Sequence, residues 1–153
     1  MFKENEKVIN LDIGLSTVVS VNKNTCILEN NLGETITIED DSKTRKLIDR
    51  KDAFSLLDRV KSLSDEWIKT PRLRYEKYQR DLYSRELDKL FIIIKRMYIE
   101  DKYSYGKGLS QTSQELLDTA KRYLYEELAI VFGVNEDEVE KIIVERIGEN
   151  NGI

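Results

Sequence analysis

Histidine is absent from the 153 residues, and this absence excludes more chemistry than any residue present can add. No Ser-His-Asp triad, Cys-His nucleophile pair or imidazole-based metal site is possible without it. The single cysteine, Cys26, supplies neither a zinc knuckle nor an internal disulfide, and a chain this poor in thiols suits a reducing compartment. Cys26 lies in the apolar run TCILE, where a buried structural thiol is expected rather than a nucleophile. The glycines stand singly, so there is no GxxxxGKS/T or GxGxxG phosphate cradle. The acidic residues fall in helix-like, solvent-facing patterns rather than in apolar pockets, which argues against paired-carboxylate catalysis. No enzyme activity, metal, cofactor or small-molecule substrate is therefore expected. Apolar runs are also short. Leu90–Ile94 reaches five residues, against ~18 needed to cross a bilayer, so no membrane partner is expected. The opening MFKENEKV has no apolar signal region, which points to the cytoplasm.

What the chain does have is charge. Residues are 35% charged and 40% hydrophobic, with a net charge of −4, as in a globular, soluble protein. The charge is uneven: −2 over 1–47, −1 over 48–66, +5 over 67–107 and −6 over 108–153. At the start of the positive block stands WIKTPRLRYEKYQR, residues 67–80, with the only Trp and the only Pro. Lys69, Arg72, Arg74, Lys77 and Arg80 face one acid there, Glu76, and Tyr75 and Tyr78 are interleaved with them. Cations beside flat rings suit nucleic acid: the charges neutralise phosphate, and a ring stacks on a base or wedges into a base step. The alternative is that Trp67 is core and the cations form a solvated helix face.

Residues 6–41 read as short strands. KVINL, TVVSV, TCILE and ETITIE carry β-branched or alternating residues, separated by turns at Gly14, Asn22-Lys23-Asn24 and Asn30-Asn31-Leu32-Gly33. Four or five antiparallel strands in this length suggest a small SH3- or Tudor-like β-barrel. Glu39-Asp40-Asp41-Ser42 breaks the pattern and marks the boundary, so the module is assigned to 1–47. The remainder, 48–153, reads as a compact all-helical domain of about five helices, making the whole chain α+β.

Asp49 caps a first helix with Ala53, Leu56, Leu57, Val60 and Leu63 inward, ended by Ser64-Asp65-Glu66. Thr70-Pro71 starts a second, with Tyr75, Tyr78 and Leu82 on one side. Ser84 starts a third, with Leu87, Leu90, Phe91, Ile94, Met97 and Tyr98 as its stripe. Ser110 or Ser113 caps the longest helix, which turns Leu116, Leu117, Ala120, Tyr123, Leu124, Leu128 and Val131 inward and stops at Gly133. Asn135 with Glu138 opens the last, Gly148 is expected to end it, and residues 149–153 are expected to fray.

A β module followed by this helical order resembles the CarD/CdnL family of bacterial transcription regulators. Lys107-Gly108-Leu109-Ser110 and the run from Leu116-Leu117 through Ala120-Lys121-Arg122 to Glu126-Glu127-Leu128-Ala129 are similar to the family's "KGLS…ML-x-x-A-R/K-x-I/L-L-x-x-E-L/F-A" helix. Val134–Val139 matches the capped segment after it. Arg74-Tyr75 and Leu82-Tyr83-Ser84-Arg85-Glu86 resemble "RYR…L-x-SGD", with Arg85 where Gly is usual. Val8–Ser16 keeps the strand and one glycine of "V-V-Y-P-x-H-G-x-G". The resemblance covers most of residues 60–145. The interval from Trp67 to Tyr75, eight residues, is longer than in the best-known members.

The resemblance implies a regulator whose β module grips the β subunit of RNA polymerase and whose helical domain meets promoter DNA at the upstream edge of the melted bubble, stabilising the open complex. It assigns DNA contact to Trp67, Lys69, Arg72, Arg74, Tyr75 and Lys77, and polymerase contact to Val8, Ile9, Thr35, Ile36 and Thr37. A cytoplasmic, nucleoid-associated location follows. The alternative is a protein-interaction adaptor that never touches DNA. If Trp67 is a wedge, it must be at least partly exposed.

Overall fold

Alternating apolar and polar side chains set five strands among the described residues of the first 48: β1 (Lys7–Asn10), β2 (Gly14–Val21), β3 (Cys26–Asn30), β4 (Thr35–Ile38) and β5 (Thr44–Lys46). In the computed structural model, residues 1–40 and 43–151 are described, with side chains as far as Gly148. The strands form one antiparallel sheet in the order β4-β3-β2-β1-β5. One face gathers Phe2, Val8, Val18, Cys26 and Leu28, with Ile13, Ile36 and Ile38 packed against them. Cys26 is thus a core residue.

Two buried asparagines hold the turns. Asn10 Oδ1 accepts from the N–H groups of Asp12 and Ile13, and its Nδ2 donates to Thr44 Oγ1 at 2.9 Å. Asn30 Oδ1 accepts from the N–H groups of Leu32 and Glu34, while its Nδ2 donates to the Ile13 carbonyl. Buried side-chain amides are stable only with such partners. The chain does not leave the sheet after Glu39, as the acidic break suggested. It returns as β5 along β1, because Thr44 is buried beside Asn10, and this unit extends over Met1–Ile48. Asp41 and Ser42, part of that break, lie outside the described residues.

The second unit, Asp49–Ile153, has five helices among its described residues: α1 (Arg50–Asp58), α2 (Pro71–Ser84), α3 (Leu87–Lys102), α4 (Gln111–Phe132) and α5 (Glu136–Asn151). Asp49 accepts from the Lys51 N–H, Ser110 Oγ from the Ser113 N–H, and Asn135 Oδ1 from the Glu138 N–H. These bonds satisfy donors that a helix start leaves open. The central helix is α4, which packs against α1, α2, α3 and α5. Its buried face includes Tyr125, Glu127 and Phe132 besides the expected leucines, whereas Tyr123 and Val131 are only half-buried.

Three boundaries depart from the sequence pattern. α1 stops at Asp58 with Arg59 as its C-cap, and Val60, buried, and Leu63, half-buried, follow outside the helix. Ser84 closes α2 rather than opening α3, because Arg85 takes a left-handed conformation (φ 53°) and breaks the helix there. Gly148 lies inside α5, with no positive φ. A glycine costs a helix only ~1 kcal/mol, and this one is tolerated. Gly152 and Ile153, expected to fray, lie outside the described residues.

Candidate nucleic-acid interface

Between α1 and α2 the chain crosses residues 63–69 without regular structure, and Trp67 stands in that crossing. From Ser64 to Lys69 no backbone–backbone hydrogen bond is made among the described residues, so side chains hold the segment. Lys95 of α3 donates to the carbonyls of Val60, Lys61 and Leu63 at 3.0, 3.2 and 2.9 Å. These include acceptors left open beyond the end of α1, and a cation suits that negative end of a helix. Burial lowers the Lys95 pKa, and neighbouring Arg96 lowers it further.

One residue further along α3, Arg96 donates from Nε to Asp65 Oδ1 at 2.8 Å and from Nη2 to the Asp65 carbonyl at 2.9 Å. From α2, Lys77 Nζ reaches the other Asp65 oxygen at 3.2 Å and Asp81 Oδ2 at 3.0 Å. Tyr78 Oη completes the set, 3.5 Å from Asp65 Oδ2. Burial, reinforced by the Asp65 charge, pushes the Tyr78 phenol up to about 12. Charge-assisted bonds of this kind are the strong ones, and Asp65, its side chain 8% exposed, collects them from two helices.

Beyond this anchor the indole emerges. Trp67 is 47% exposed. Arg74 lies over its ring at 4.3 Å from the centroid, and its Nη1 donates to the carbonyls of Ile68 and Lys69. The Arg96 guanidinium is 5.4 Å from the same ring. The rest of the indole faces solvent, beside the N-terminus of the Pro71 helix.

The residues assigned to DNA therefore divide. Trp67, Lys69, Arg72 and Tyr75 are exposed at or near the start of α2. Among the described residues, the side chains of Lys69, Arg72 and Arg80 have no hydrogen-bond or ion-pair partner. Arg74 and Lys77 are turned to the protein itself: Arg74 holds the Trp67 segment and Lys77 is balanced by two carboxylates. Tyr78 is buried in the helical core. Asp65, Lys95 and Arg96 were not singled out by the sequence pattern. The one available signal was the Lys95-Arg96 pair interrupting an apolar helix, FIIIKRMY, where two buried-side cations call for partners.

The residues assigned to polymerase also divide. Val8 and Ile9 are 0% and 2% exposed. β1 is an interior strand with partners on both sides, so neither side chain is available to a partner as it stands. Thr35 and Thr37 are exposed on β4, an edge of the sheet, while Ile36 packs on the core. The two sets belong to different units of the chain.

A second aromatic–cation pairing lies at the far end of α2. The Arg85 guanidinium sits 3.5 Å over the Tyr123 ring, and Arg122 approaches the same ring at 5.3 Å. It ties the left-handed α2 C-cap to α4.

Residues 55–144 match the family model described as CarD, C-terminal domain. No curated protein matches the chain.

Proposed function

The chain belongs to the CarD family, and from that premise we propose that it regulates transcription by joining RNA polymerase to promoter DNA. In this reading the sheet module binds the polymerase β subunit. The helical domain sets Trp67, Lys69, Arg72 and Tyr75 against DNA at the upstream edge of the bubble and stabilises the open complex. The observation that carries the DNA half is the half-exposed indole on a segment pinned by five side chains, next to unpaired cations. A rigid, amphipathic ring with phosphate-binding neighbours is suited to a base step that has begun to unstack.

The mechanism is a difference in affinity. Tethering to polymerase raises the local concentration of Trp67 beside the fork. If the indole and its cations bind opened DNA better than closed duplex, the equilibrium moves towards the open complex by that difference. One side of the ring carries Arg74, which favours insertion by an exposed edge over stacking of a base on that face. On the polymerase side, the free edge of β4 offers backbone donors and acceptors of the kind an added strand pairs with. Thr35 and Thr37 flank that edge, and Ile36 sits between them. The protein would act in the cytoplasm, on the nucleoid.

The test is co-purification of RNA polymerase with the full-length protein, combined with a salt titration of its DNA affinity. The proposal expects polymerase capture and a DNA affinity that falls steeply with salt and depends little on sequence. Polymerase capture without salt-dependent DNA binding would identify a protein-interaction adaptor and refute the DNA half.

A further inference from the structure

Asp65 accepts from Arg96 of α3 and from Lys77 and Tyr78 of α2, and it lies two residues before Trp67. Its carboxylate is almost wholly buried, so it cannot itself touch DNA. The crossing it belongs to has no backbone–backbone hydrogen bonds between Ser64 and Lys69 among the described residues. An untied loop of this length samples many conformations, and fixing each residue opposes ordering by its lost backbone entropy. A base-step wedge loses effect when displaced by even a small distance, because binding groups must be pre-organised to contribute fully.

We infer that Asp65 is the positioning residue for Trp67: it clamps the crossing to α2 and α3 so that the indole is presented in one orientation beside Lys69 and Arg72. The role deepens the reading of Trp67 as a DNA contact and rests on it. Arg96 serves both ends of the clamp, binding Asp65 through Nε and Nη2 while its guanidinium lies 5.4 Å from the indole centre. Arg74 holds the other side of the segment through the Ile68 and Lys69 carbonyls. Trp67 thus sits between two anchors, Asp65 before it and the Ile68 carbonyl after it.

This role makes a prediction that neither simple electrostatics nor general stability makes. Removing the carboxylate leaves Arg96 without its acidic partner, while Lys77 keeps Asp81. Bulk attraction to duplex DNA should then hold or rise, with a salt slope steeper by up to ~0.9 per additional phosphate neutralised. Open-complex lifetime should nevertheless fall, because the indole is no longer aimed. A general loss of folding would lower both. An acid that merely dampens the field would, once removed, raise both.

Trp67 is the only tryptophan, so fluorescence excited selectively in the indole, beyond the tyrosine absorption, reports on this segment alone. In the full-length protein, Asp65→Asn and Asp65→Ala should raise acrylamide quenching of Trp67 by up to about twofold, the ratio of full exposure to the present 47%. Both should shorten open-complex lifetime with polymerase, and in a Trp67→Ala background Asp65→Ala should shorten it no further. Arg96→Lys keeps the charge but loses the planar fork that spans the Asp65 carboxylate and carbonyl, and should also raise quenching, which serves if Asp65→Ala folds poorly. Val139→Ala, a core truncation in α5, controls for stability and should leave quenching unchanged. Unchanged quenching in Asp65→Asn and Arg96→Lys would overturn the inference whatever the promoter assay gives, as would a further loss of lifetime from Asp65→Ala without the indole. Unchanged lifetime in Trp67→Ala alone would instead refute the DNA role of Trp67, with quenching still deciding whether Asp65 orients it.

Discussion

Replacing Trp67 by alanine separates a contact residue from a core residue, because the two make different demands on stability. A Trp side chain buries up to ~250 Å² when enclosed. With 47% of this residue exposed, roughly half of that area is lost from the interior. At ~25 cal/mol per Å², and allowing for an unfolded chain that is itself partly compact, the substitution costs about 2 kcal/mol. The guanidinium–ring interactions add ~0.5–1 kcal/mol each at such an exposed site, but Arg74 and Arg96 keep their carbonyl and carboxylate bonds in the variant. A fully enclosed indole would cost ~3–5 kcal/mol. With both ring contacts included the loss is about 3–4 kcal/mol, and from a starting stability of ~10 kcal/mol it leaves well under ~0.1% of the chain unfolded. Unfolding therefore cannot account for a large functional loss.

Aromatic stacking on bases is worth ~1–3 kcal/mol, so open-complex lifetime should fall by about ten- to a hundredfold, with polymerase binding unchanged. The assays are denaturant or thermal unfolding of the variant and filter-bound open-complex decay on a natural promoter. A loss of ~5 kcal/mol or more in stability would contradict the half-exposed placement of the indole. An unchanged lifetime would refute the wedge and leave Tyr75 and the cations to carry any DNA binding.

Three further outcomes follow from the same interactions. Lys69→Ala with Arg72→Ala should flatten the salt slope of DNA binding by up to ~0.9 for each phosphate no longer neutralised, while Lys77→Ala, whose charge is balanced by Asp65 and Asp81, should change stability more than slope. Tyr78 is held at about 12, above the unfolded value of 10, so its native form keeps a proton that the unfolded chain releases. Its stabilising contribution is complete below pH 10 and is lost as pH rises towards 12. Chemical denaturation at pH 9 and 11.5 should show a steeper decline for the native protein than for Tyr78→Phe, by about 1–3 kcal/mol, and equal declines would refute the assignment. Arg85→Gly relieves a left-handed backbone worth ~1–2 kcal/mol but removes the stacking on Tyr123, worth ~0.5–2 kcal/mol. The melting temperature should barely move, whereas Arg85→Ala keeps the strain, gives up the stacking and should fall below both.

Much of the fold was written in short-range pattern. Alternation placed the strands, i, i+3, i+4 spacing placed the helices, and Asp49, Pro71, Ser110, Gly133 and Asn135 marked helix ends by chemistry that acts within a few residues. Those signals need no tertiary partner, which is why they were legible. Composition alone likewise concentrated positive charge and the single Trp in residues 67–107. Only the folded chain decided which cations in that block are available. Arg96 meets Asp65 across 31 positions and Lys95 meets Val60 across 35, separations at which no periodicity speaks. Nor could pattern separate Val8, enclosed between β2 and β5, from Thr35 on an edge, since both lie in similar strand sequences and differ only in strand order. Local sequence determined the elements and the sign of the surface. Packing assigned each charge a carboxylate, a carbonyl or open water, because those partners are brought within reach only when the helices close on one another.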